Sequence, residues 1–117
     1  MIRRAGEYSV DRNENMRGGD GIIELNHLLN KDEFGGAGRL FSLLRIEPGD
    51  FIGYHIHENE QETFYILEGE ALYNENGTEV VLKPGDVALC KDGEHHAIKS
   101  IGKETLVFFG LITYTVK

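Results

Sequence analysis

Cysteine is almost missing from this chain. Cys90 is the one example in 117 residues, so no internal disulfide can form and a reducing cytosol suits the protein. Basic residues are also few: 12 Lys and Arg against 20 Asp and Glu leave a net charge of −8. That balance speaks against nucleic acid, whose phosphates recruit basic faces, and against anionic membrane surfaces. No apolar run approaches the roughly 20 residues needed to span a bilayer, and Met1 to Gly6 does not lead into the apolar region of a signal peptide. The expectation is a cytoplasmic protein with neither nucleic acid nor membrane as partner. What remains is ordinary for a globular chain, 40% hydrophobic and 27% charged, long enough for one domain over residues 1–117 with a modest core.

The most informative stretch runs from Gly49 to Gly69. His55 and His57 lie two residues apart, so on a β-strand they share a face while Tyr54 and Ile56 take the other. Glu58 to Gln61 is polar and reads as a turn. Glu62 then opens Thr63 to Leu67, rich in aromatic and branched residues, as the returning strand. An antiparallel return sets Glu62 beside the histidines. An isolated His-x-His pair is most often a solvated face, but two imidazoles and a carboxylate on one face of a hairpin make half of a metal site.

Short strands joined by glycine-rich turns recur along the rest of the chain. Arg39 to Ile46 is a strand with apolar residues on both faces, and Pro48-Gly49 turns out of it. Glu70 to Glu75 and Thr78 to Leu82 flank Asn76-Gly77, a strong hairpin signal. Val87 to Cys90, His96 to Ser100 and Glu104 to Val116 follow, with Cys90 read as a small buried hydrophobe. This pattern is all-β, a jelly roll or sandwich. Before it, Tyr8 to Val10 reads as a short edge strand, and Ile22 to Leu29 as a strand or a helical turn carrying a structural or surface His27. Glu14 to Gly21 has three glycines in four residues near its end and reads as a loop.

The spacing of Gly49, His55, His57, Glu62 and Gly69 fills every fixed position of the first signature of the cupin superfamily, and the chain resembles a small single-domain cupin over roughly residues 40 to 113. The second signature is present from Gly85 through Gly93 and His96 to Ser100, with Lys91 at the usual proline and Ser100 at the usual asparagine. The resemblance implies a double-stranded β-helix barrel over residues 39–116, with 1–38 as an N-terminal strand and loop extension. It implies a metal held by His55, His57, Glu62 and His96, with the adjacent His95 facing away from the barrel interior. It also raises a second reading of the Arg17 loop, as a segment folded near the barrel mouth.

Three neutral imidazoles and one carboxylate suit one divalent transition metal, which could be Mn, Fe, Ni, Co or Zn. In cupins such sites keep positions open for water or substrate. The expected function is a metalloenzyme acting on a small anionic or sugar-derived substrate by isomerisation, decarboxylation or dioxygen insertion. Glu62 would be the catalytic base if displaced from the metal. The alternatives are a non-catalytic small-ligand binder and a structural metal in an interaction module. Apolar residues on both faces of Arg39 to Ile46 and Thr105 to Thr113 also predict a homodimer.

Overall fold

In a computed structural model, which describes residues 1–115, ten strands form two antiparallel sheets. The strands are β1 (Ser9–Glu14), β2 (Ile22–Leu29), β3 (Gly38–Ile46), β4 (Phe51–Ile56), β5 (Glu60–Glu68), β6 (Ala71–Glu75), β7 (Thr78–Leu82), β8 (Val87–Cys90), β9 (His95–Ser100) and β10 (Leu106–Tyr114). The larger sheet has the order β1-β2-β3-β10-β5-β8 and the smaller β4-β9-β6-β7. The fold is the all-β double-stranded β-helix expected from the sequence. No helix among the described residues is long and apolar enough to cross a membrane.

Alternation builds the interior. Ile66, Phe108 and Leu44 lie across neighbouring strands of the larger sheet and point inward, opposite Ile52 and Ile98 of the smaller one. Each such side chain contributes about 1.5–3 kcal/mol by leaving water. The ambiguous segment Ile22 to Leu29 is strand β2, because Ile23 and Leu25 alternate into this core. Thus the N-terminal residues widen the larger sheet at its edge, with β1 outermost. At Asn76-Gly77 both residues have positive φ, 51° and 98°, as a two-residue hairpin turn requires.

Several strand boundaries differ from the sequence reading, with the largest shifts in β1, β5 and β10. Strand β5 starts at Glu60, inside the stretch read as a turn, because Glu60 pairs with Tyr114 on β10 and the left-handed Asn59 makes the bend alone. The edge strand expected at Tyr8 to Val10 runs from Ser9 to Glu14, since β2 offers a partner along that length. Strand β10 ends at Tyr114; Val116, the expected end, lies outside the described residues.

Candidate metal centre

The four expected ligands come from both sheets. His55 on β4 is directly paired with His96 on β9, and His57 follows the end of β4. Glu62 projects inward from β5 in the opposite sheet, where it is paired with Cys90 and Ile112. One donor atom from each of His55, His57, Glu62 and His96 can be chosen so that all lie within 4.8 Å of one another. His57, Glu62 and His96 are buried, and His55 is half-buried. His95 faces the outside, stacked on Tyr54 at 5.2 Å, while Ile98 shares the inner face with His96.

Groups outside the cluster orient the rings. His55 donates from Nδ1 to the Gly53 carbonyl at 2.6 Å, and His57 donates from Nδ1 to Glu60 Oε2 at 2.6 Å. His96 Nδ1 shares a hydrogen bond of 2.8 Å with the Tyr73 hydroxyl, and Phe64 stacks on the His96 ring at 5.0 Å. With all three Nδ1 atoms engaged, Nε2 is the atom left to each ring for the centre. Glu60 is held in turn by two donors of Arg39, each at 2.7 Å. Arg39, Glu60 and His57 therefore form a continuous hydrogen-bonded chain into the site.

The distances among the His57, Glu62 and His96 donors fit a single ion. His57 Nε2 lies 3.0 Å from Glu62 Oε1 and 3.1 Å from His96 Nε2, and His96 Nε2 lies 3.1 Å from the same oxygen. Donors set about 2.1 Å from a common ion at right angles to one another would be separated by about 3 Å. The contact between two imidazole nitrogens points the same way, since their lone pairs repel unless a proton or cation sits between them. A Cβ on Gly110 would press on Leu44 at 3.0 Å and meet Glu62 Oε2 in ordinary contact at 3.4 Å.

Burial and partners set the protonation states. Burial pushes His55 down to about 4, so this ring is neutral. Burial also lowers His57, but the hydrogen bonds to Glu62 and Glu60 outweigh it and raise its pKa overall. Burial would raise Glu62, yet the His57 and His96 hydrogen bonds win and hold it at about 2. Burial drives the Cys90 thiol up to about 12, in keeping with an inert packed side chain.

The cluster borders a cavity of about 40 Å³ whose wall includes Arg17, Arg39, Ile52, His55 and Glu62. A larger depression of about 210 Å³ lies on the outer face of the smaller sheet, over Leu72 and Lys99, and gathers no comparable donors. His27 is not part of the centre. Its ring bridges Ser42 Oγ and Asp11 Oδ2, both at 2.7 Å, and because Ser42 is fully buried this Ser–His–Asp set presents no reachable nucleophile.

Sequence reasoning overlooked Glu60, Arg39 and Tyr73 as groups that orient the rings. Glu60 stands two residues before Glu62, so the period of a strand already puts the two on one face. Tyr73 carries no such local sign; it meets His96 only through the pairing of β6 with β9.

A family model described as "Cupin domain" matches residues 42–114. An oxalate-binding protein of Thermotoga maritima is 41% identical over 112 residues, covering 96% of this chain and 93% of that protein. The crystal structure of a predicted oxalate decarboxylase from Thermotoga maritima is similar with a TM-score of 0.92 and 40% identity, over 97% of this chain and 99% of the other. The structure of KdgF from a Halomonas species shares the fold, with a TM-score of 0.77 at 14% identity over 100% of this chain and 96% of its own.

Proposed function

The chain belongs to the cupin family, and from that premise we propose that His55, His57, Glu62 and His96 hold one divalent transition-metal ion and that the loaded site takes up a small dicarboxylate of the size of oxalate. The observation that carries this reading is the combination of a converging donor set with a cavity of only about 40 Å³. Ligand pockets for drug-sized molecules run to roughly 300–1,000 Å³, so the space favours a ligand of few atoms over a sugar or uronate ring. The names of the two Thermotoga maritima relatives, an oxalate-binding protein and a predicted oxalate decarboxylase, support the same class.

A bound divalent ion would supply Lewis acidity and positive charge toward a carboxylate oxygen. The protein's own part is to orient the rings through Gly53, Glu60 and Tyr73, to exclude bulk water with Ile52, Leu44 and Ile112, and to balance charge through Arg39. Binding without turnover is the reading that the cavity wall favours. Decarboxylation breaks a C–C bond and needs a proton delivered to the carbon left behind. Among the described residues lining the cavity, Glu62 is the sole carboxylate and belongs to the cluster, while Arg39 is tied to Glu60. A base role for Glu62 would require it to leave the metal. Decarboxylation is the second reading, favoured by the Thermotoga maritima structure of that description. The lone buried cysteine and acidic balance support a cytoplasmic location.

Calorimetric titration of oxalate, malonate and glucose into Mn(II)-loaded and chelator-stripped protein tests the proposal. Oxalate should bind about one per chain and only to the loaded form, with glucose silent. Equal oxalate binding after stripping, or a preference for glucose, would overturn it. Release of CO₂ and formate from bound oxalate would select the second reading.

A further inference from the structure

Residues Asn15 to Gly21 are built onto the strand that leads into His55. Asp20 and Phe51 exchange both backbone hydrogen bonds at 3.1 Å, and the 3-10 turn Met16–Gly18 lies against β4. The approach is close enough to demand glycine on both sides. A Cβ on Gly19 would run into the Phe51 carbonyl, and one on Gly53 would run into the Arg17 carbonyl. Gly53 also offers the carbonyl that orients His55. Seating of the loop and orientation of an imidazole therefore meet at one residue.

Within this loop Met16 packs against the core, and Arg17, itself exposed, lines the cavity together with His55 and Glu62. Arg17 has φ 56°, a left-handed conformation that costs a non-glycine residue about 1–2 kcal/mol. Such a residue placed at a cavity mouth calls for a functional reason. Its charge is also uncompensated. Arg3, Arg12, Arg39 and Arg45 each face a glutamate, whereas Arg4 and Arg17 form no ion pair among the described residues, and of these two only Arg17 lines the cavity.

From this we infer that Arg17 is the specificity-determining residue of the site, the anchor for the second carboxylate of a dianionic ligand whose first carboxylate lies toward the His/Glu cluster. The inference rests on the small-dicarboxylate reading above and adds to it the group that separates dianions from monoanions. The charges agree. Arg39 cancels Glu60, so a divalent ion, Glu62 and Arg17 together give about +2 by formal charge, which a dicarboxylate neutralises and a monocarboxylate does not. A guanidinium also presents paired donors to a carboxylate, which a lysine cannot match.

The test compares oxalate with acetate by calorimetry on Mn(II)-loaded protein. Arg17→Asn is the informative variant, because asparagine tolerates the left-handed turn and the change removes charge without loosening the loop. Arg12→Asn removes the same charge from β1, away from the cavity. The expected result is a loss of oxalate affinity of at least about tenfold in Arg17→Asn, with acetate affinity and Mn(II) content within about twofold of the parent. Arg17→Lys should recover part of the loss, and Arg12→Asn should change neither ligand. Oxalate affinity that survives Arg17→Asn, falls together with that of acetate, or falls equally in Arg12→Asn overturns the assignment of Arg17 and leaves the reading of the site standing. Failure of oxalate to bind the unaltered protein overturns that reading, and the assignment with it.

Discussion

At the scale of single residues, the three imidazoles are placed to serve a common ion because each commits Nδ1 to a partner outside the cluster. Glu60 is the most exposed to test. It touches no expected donor atom of the centre, yet it fixes the His57 ring and is itself gripped by Arg39. Glu60→Ala should lower metal affinity about 10–100-fold, while His27→Ala, remote from the centre, should leave it nearly unchanged. Competition with a fluorescent chelator measures both, and equal effects would show that Glu60 has no orienting role. Ser100 makes a different prediction. It stands at the usual cupin asparagine position and its Oγ is buried without a hydrogen-bond partner. Removing that hydroxyl should cost nothing, so Ser100→Ala should unfold at the parent's midpoint or gain about 1 kcal/mol in a denaturant titration. A loss beyond about 1 kcal/mol would mean that the hydroxyl has a partner in solution.

Among secondary-structure elements, turns decide whether the donors meet. Lys91 replaces a proline whose rigidity the turn before His96 would ordinarily use. The turn is instead tied by hydrogen bonds: the Lys91 N–H, which proline lacks, donates to Glu94 at 2.8 Å, and Glu94 N donates back to the Lys91 carbonyl. Gly93 N and His57 N complete a pair of bonds across to the first motif, so the two motifs lock each other. The spacing of glycines and histidines made the His/Glu cluster legible in the sequence, because a strand's period of two leaves each ligand one face. The ambiguity of Ile22 to Leu29 and the loop around Arg17 were not resolved there. Their conformations depend on β3 and β4 as partners, and no local pattern reports pairings such as Leu29 with Phe41 or Asp20 with Phe51. Gly19→Ala forces a methyl group into the Phe51 carbonyl, so it should lower unfolding free energy by about 1–3 kcal/mol and speed amide exchange across residues 15–21. Unchanged exchange there would mean that the loop is not seated on β4.

Across the whole molecule, the outer face of the larger sheet is left uncovered by residues 1–38, which extend the sheet sideways. Leu43, Phe109, Tyr65 and Val87 form one apolar row across it, with Val87 62% exposed. We propose that a second copy covers this face, giving a homodimer. Light scattering should return twice the chain mass at micromolar concentration and the single-chain mass for Val87→Lys; a monomer from the parent would contradict this. We likewise take residues 1–117 as one domain, because Ile23 and Leu25 of the N-terminal part sit in the same core as Leu44 and Phe108. Elemental analysis after incubation with Mn, Fe, Ni, Co or Zn salts and removal of excess should find about one transition-metal ion per chain in the parent, falling below about one tenth in His57→Ala. No uptake of any of these metals, or equal content in the two proteins, would contradict the metal centre itself.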